Sequence, residues 1–230
     1  KKTMARSKAI EQRQQAAIEE KSKLLKNIER SDELKIFQTP FHTKRLVQLL
    51  DVSVAYSDTP VCSNVSFDIQ QGDRIVLQGP NGCGKSSLIK LICGEEIPYS
   101  GTVRIGSGLR ISYVTQDTSN LRGSISDYAL HRGIDESLFL AMLNKLDVPK
   151  VQMEKDMASL SAGQKKKVLV AASICEPAHL HIWDEPMNYI DVISRMQIEN
   201  LLLEFQPTIL FVEHDRAFCD NVATKTVLLG

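Results

Sequence analysis

Gly79, Pro80, Asn81, Gly82, Cys83, Gly84, Lys85 and Ser86 follow the pattern G-x-x-x-x-G-K-S, which suits a loop that wraps a string of phosphates. Glycines at 79, 82 and 84 allow backbone conformations other residues resist, so successive N–H groups can turn inward at phosphate oxygens. The helix expected after the loop brings its positive N-terminal end to the same place. Lys85 is expected to reach the β and γ phosphates and the Ser86 hydroxyl to ligate Mg²⁺. Asn81, Cys83 and Ser87 belong to the same binding set. Further on, the apolar run Leu180, His181, Ile182, Trp183 ends in Asp184 and Glu185. A buried strand would deliver both carboxylates to its C-terminal end, where parallel sheets bind ligands. Asp184 is then placed to hold Mg²⁺ through water. Glu185 is placed to polarise an attacking water, a general-base contribution of about 10²–10⁴-fold. Taken alone, the pair could also be an acidic turn before Pro186.

Elements that could position these groups are readable in order. Residues 46–56, 65–69 and 73–78 are short β-prone runs between turn residues, and a helix is expected over 85–93. Strands follow near 101–105 and 109–115, one or two helices over 126–146, and a helix over 163–175. The remainder alternates strand (180–184), helix (192–205), strand (208–213), with 227–230 reading as an unfinished strand. Strands alternating with helices imply an α/β fold with a mostly parallel sheet. Ser161 is expected to cap the helix that opens at Ala162, Gly163 and Gln164. Lys165, Lys166 and Lys167 continue that helix and read as mostly a solvated face, with contact to a polyanion as the alternative. His42, His131, His179 and His181 form no chemical pattern.

The chain has 230 residues, 43% of them hydrophobic, enough for one sizeable core. No apolar run reaches the roughly 18–20 residues of a membrane span. The five cysteines form no C-x-x-C pair; reduced thiols in a cytoplasmic protein are expected. The start is basic with no apolar stretch behind it, unlike a secretory leader. Zero net charge hides an asymmetry, since residues 1–30 hold nine Lys/Arg and four Asp/Glu, +5 against −5 for the rest. Such an arm is either a solvated helix face or a contact for a polyanion. Residues 4–30 lack Gly and Pro and carry a narrow apolar stripe (Ile10, Ala17, Leu24, Ile28), predicting a long helix that packs on another. The chain reads as a fragment of a larger protein.

Taken together, the motifs over residues 44–230 resemble the ATP-binding-cassette (ABC) ATPases. The resemblance implies a P-loop fold with a parallel core sheet, an antiparallel β subdomain and a small helical subdomain. It makes Ser161, Ala162, Gly163 and Gln164 the signature that completes the site of an opposite domain. Gln116 becomes the Q-loop glutamine touching Mg²⁺ and water, and His214 the residue that senses the γ-phosphate. Tyr56 becomes the platform for adenine, and Asp191 the D-loop aspartate that communicates across the dimer. ATP and Mg²⁺ are the implied cofactors.

Two features resemble the ABC-F proteins, which join two such domains by a helical linker. Residues 1–43 would be the returning linker and its connection. The run Asp184, Glu185, Pro186, Met187, Asn188, Tyr189, Ile190, Asp191 is similar to the antibiotic-resistance branch of Lsa and Vga type. That branch acts on the ribosome against lincosamides, streptogramins or pleuromutilins. The implied partners are the first ABC domain of the same protein (or a second copy of the fragment) and the ribosome with its rRNA, with no membrane. Ala162 stands where glycine is commoner, and Met187 and Tyr189 replace Thr and His of the wider family run. Between Lys85 and Gln116 there is no room for the inserted arm of a first domain. Two other readings stay open: the ATPase of a membrane transporter, and a domain that holds ATP without turning it over.

Overall fold

β3 (Arg74–Gln78), β6 (Leu180–Asp184) and β7 (Ile209–Val212) are apolar on both faces and lie at the centre of the fold. A computed structural model describes Gln15 and residues 39–230 of the chain. The linker helix expected over 4–30 therefore lies, apart from Gln15, outside the described residues. With β5 (Ile111–Val114) and β8 (Lys225–Leu228), the three central strands build a parallel sheet in the order β5-β6-β7-β3-β8. A second sheet is antiparallel, with β1 (Arg45–Tyr56) between β2 (Thr59–Gln70) and β4 (Tyr99–Ile105).

Side-chain alternation along the parallel strands divides the interior in two. Ile75, Leu77, Ile182, Leu210 and Val212 pack with β1 residues and with helix α1 (Lys85–Ile92). Val76, Trp183, Ile209 and Phe211 point to the other side, into a cluster with helix α5 (Ala162–Cys175) and helix α6 (Val192–Phe205). Parallel strands covered on both faces in this way need no polar face, which is why they read as continuous apolar runs.

The stretch expected as one or two helices is two, α2 (Ile125–Arg132) and α3 (Glu136–Lys145). Gly133, at φ 65°, ends the first, and Asp135 caps the second by accepting from the Leu138 N–H at 2.8 Å. Helix α4 (Lys150–Met153), helix α7 (Arg216–Val222) and the first half of β2 were not expected from sequence. The two helices are too short for an apolar period to register. The α/β architecture, parallel core sheet and antiparallel β subdomain are as expected.

Candidate nucleotide site

β3 ends at Gln78, and the chain loops through 79–84 before α1 begins at Lys85. Gly84 is the N-cap of α1 at φ 94°, and a Cβ there would meet Cys62 Cβ at 2.9 Å. Only glycine serves such a position without strain. Among the described residues no side chain caps α1, so the N–H groups of its first turn can face an anion. Lys85 Nζ donates to Gly79 O at 2.7 Å and Pro80 O at 3.0 Å, with Cys83 Sγ at 3.6 Å. The ammonium is thereby held inside the loop.

β6 carries Asp184 and Glu185 to the same end of the sheet. Asp184 is buried, and its Oδ2 accepts from the Ser86 hydroxyl at 3.3 Å. Burial pushes this carboxyl above the ordinary aspartate range; Glu185 adds to the rise, while Ser86, Lys166 and Lys85 oppose it. Ser86, Asp184 and the amide of Gln116 offer hard oxygens of the kind Mg²⁺ takes alongside water and phosphate. Among the described residues no three His, Cys, Asp or Glu side chains converge into a cage that would hold a metal without such help. The residues present fit a cation shared with a bound phosphate.

Glu185 lies beyond the strand at φ 50°, a left-handed conformation held by its own N–H donating to Val212 O at 2.8 Å. Its carboxylate is the meeting point of three side chains. Oε2 accepts from Gln116 Nε2 at 3.1 Å and Asn188 Nδ2 at 2.5 Å, and Oε1 lies 3.1 Å from His214 Nε2. In the tautomer protonated at Nε2, His214 donates to it. Glu213, buried, accepts from Met187 N at 3.0 Å and His214 N at 2.9 Å. It sews the turn after β6 to the end of β7.

Asn81, Gly82, Gly84, Lys85, Ser86 and Ser87 line one cleft of about 510 Å³ together with Gln116, Asp184, Glu185 and His214. Cys83 is buried within the loop. Tyr56 is 44% exposed, and its hydroxyl lies 3.1 Å from Ser87 Oγ. Sequence reasoning missed Asn188, Glu213 and Lys166 as parts of this site, because nothing in their spacing marks them.

Ser161, Ala162, Gly163 and Gln164 do not line the cleft. They open α5, where Ser161 Oγ accepts from Gln164 N and Gln164 Oε1 accepts from Ser161 N, both at 3.2 Å. This is the expected cap, doubled into a capping box. A Cβ on Gly163 would lie 2.5 Å from Tyr189 O, so the helix start presses against the turn after Asp184 and Glu185. Asp191 caps α6 by accepting from Ser194 N at 2.9 Å and pairs with Lys167 Nζ at 2.7 Å. Partial burial pushes the Asp191 carboxyl up, but Lys167 and Ser194 outweigh it and hold it at about 2. Tyr189 and Val192, beside them, are exposed apolar side chains.

The solvated face expected of the lysines is a correction. Lys166 is 1% and Lys167 8% exposed. α5 is enclosed nearly all round, so these lysines spend their charge on internal partners instead of water.

The family model described as "ABC transporter" matches residues 62–188, and the chain belongs to that family as one of its ATP-binding domains. Among curated proteins it is 32% identical over 195 residues to "ATP-binding protein Uup" of Caulobacter vibrioides, a match covering 81% of this chain and 32% of that protein. It is 28% identical over 193 residues to "Ribosome protection protein VmlR" of Bacillus subtilis, covering 81% of this chain and 35% of the other. The chain thus spans about a third of the length of these relatives. A solved structure, "Structure of ATP binding subunit of ABC transporter", shares the fold with TM-score 0.65 at 24% identity, covering 80% of this chain and 85% of that one.

Proposed function

We propose that this chain is the second ATPase domain of an ABC-F protein and that its cleft hydrolyses ATP with Glu185 as general base. The convergence of Gln116, Asn188 and His214 on the Glu185 carboxylate carries this reading. A carboxylate so fixed has one defined direction in which to take a proton from water. Gln116 and His214 orient the water and report the γ-phosphate, while Lys85 and the loop amides bind the β and γ phosphates. Tyr56 stacks on adenine. Ser86, Asp184 and Gln116 hold Mg²⁺, which when bound neutralises charge on the phosphate oxygens.

The site is one half of a composite. Ser161, Ala162, Gly163 and Gln164 lie outside the cleft, on a surface flanked by exposed Tyr189 and Val192. They serve a nucleotide held by the first ABC domain, or by a second copy when the chain is alone. Asp191 lies on that same surface. Residues 1–43 form the interdomain linker and its connection, and 44–230 the ATPase domain.

The full protein acts in the cytoplasm on the ribosome and its rRNA, protecting it from lincosamides, streptogramins or pleuromutilins. Support comes from the Asn188, Tyr189, Ile190, Asp191 run and from the likeness to a relative named for ribosome protection. The transporter reading is favoured by the family description alone. Co-sedimentation of the parent protein carrying Glu185→Gln and its counterpart in the first domain separates the two. Capture on ribosomes that requires ATP is expected. Recovery in a membrane fraction, with no ribosome binding, would overturn the proposal in favour of a transporter ATPase.

A further inference from the structure

Lys166 stands on the second turn of α5, and its Nζ donates to Thr115 O at 3.1 Å and Gln116 O at 3.2 Å. Two carbonyl dipoles do not by themselves offset the removal of an ammonium from water. Burial accordingly lowers its pKa, and attraction to Asp184, Glu185, Glu213 and Asp117 offsets that only in part. A methionine would fill the same space without this penalty, and what the ammonium adds is its two hydrogen bonds.

It touches the stretch that presents Gln116. β5 ends at Val114, so the carbonyls of 115 and 116 have left the sheet. Just beyond, the loop bonds to itself: Thr115 Oγ1 donates to Asp117 O at 2.6 Å and Ser119 N to Asp117 Oδ1 at 2.8 Å. Lys166 donates two bonds from α5 to the main chain at 115 and 116. From that held backbone, the Gln116 amide reaches Glu185 at 3.1 Å.

We infer that Lys166 is a positioning residue of the hydrolytic site: its ammonium fixes the backbone at 115–116 so that Gln116 meets Glu185. Because Lys166 belongs to the helix opened by Ser161, Ala162, Gly163 and Gln164, it also ties that helix to the Gln116 loop. The inference rests on the reading of Gln116 and Glu185 as hydrolytic residues.

The test is a mutant cycle in a parent protein whose first domain already carries Gln in place of its own counterpart of Glu185, so that turnover reports this site. Lys166→Met keeps the volume and removes the donors; Gln116→Ala removes the group positioned. Lys166→Met is expected to lower kcat about 10- to 100-fold, as small misplacements do, with little change in the KM for ATP. Amide hydrogen exchange should quicken at Gln116 and Asp117 while remaining unchanged in α1. Added to Gln116→Ala, it should cause no further loss, because both changes act through one contact. Parent-like kcat and exchange in Lys166→Met, or losses that add in full, would overturn the inference. Should Lys166→Met fail to fold, Lys166→Gln and Lys166→Arg go through the same cycle, with additivity overturning it equally. Glu185→Gln separates the two levels. If that variant still turns over ATP, the reading of the site fails; if it is inactive while Lys166→Met runs at the parent rate, only the role of Lys166 fails.

Discussion

Glu185 and Lys85 line the same cleft; the proposed mechanism gives them different work, so their variants should fail differently. Lys85 is an ammonium fixed by Gly79 O and Pro80 O, where a phosphate chain would pass. A charge-assisted contact of this kind is worth about 1.5–3 kcal/mol. Lys85→Ala should therefore weaken ATP binding by roughly 10- to 100-fold in equilibrium dialysis. Asn188 touches only the Glu185 carboxylate among the functional groups, at 2.5 Å. Asn188→Ala should leave ATP affinity near that of the parent and lower kcat about tenfold, by loosening the base rather than the binding loop. Steady-state kinetics with the two parameters resolved checks this; an unchanged kcat would remove Asn188 from the account.

At the scale of elements, the start of α5 and the start of α6 are one assembly. Gly163 packs on Tyr189 O, and Asp191 both caps α6 and pairs with Lys167. Asp191→Ala should cost about 1 kcal/mol or somewhat more in urea unfolding, from the lost cap and the buried ammonium left unpaired. Asp191→Asn should cost less, since its amide oxygen can still cap. The Asp191 carboxyl is held at about 2, below its unfolded value. Its contribution is therefore present above about pH 4 and fades as pH falls towards 2. This assembly also shows what the sequence could and could not disclose. The phosphate loop and the strand bearing Asp184 were legible because their chemistry depends on local spacing, and Ser161 because capping is local too. Lys166 and Glu213 were illegible because each acts across elements that only the tertiary fold brings together, and Asn188, though three residues from Glu185, because its contact depends on the left-handed turn at Glu185. A run of three lysines looks solvated until the helix carrying it is known to be enclosed.

At the scale of the molecule, the two packed sides of the parallel sheet differ in one respect. The side facing α5 contains a polar knot in which Ser173 Oγ accepts from Trp183 Nε1 at 2.8 Å and lies 3.1 Å from His181 Nδ1. Among the described residues His181 Nε2 has no hydrogen-bond partner, and burial lowers the imidazole pKa to about 4. A histidine buried neutral stabilises the fold fully above its unfolded pKa of about 6.5 and loses that contribution as pH falls through this range towards 4. Stability should drop by of order 3 kcal/mol between pH 6.5 and 4. His181→Gln should flatten that slope in urea denaturation, and a slope unchanged by the substitution would assign it to other groups. The knot joins β6, which ends in Asp184, to α5, which begins at the surface proposed for a second domain. The proposed hydrolytic site and the proposed interdomain surface thus share one frame.

ATP turnover by the parent protein whose first-domain counterpart of Glu185 is already Gln, with and without Glu185→Gln and measured beside ATP affinity, tests the central claim most directly. The account predicts turnover at this site reduced by at least about 10²-fold with ATP binding retained, because only the proton acceptor has been removed. Turnover at the parent rate would contradict it, and would leave the convergence of Gln116, Asn188 and His214 on Glu185 without a catalytic purpose.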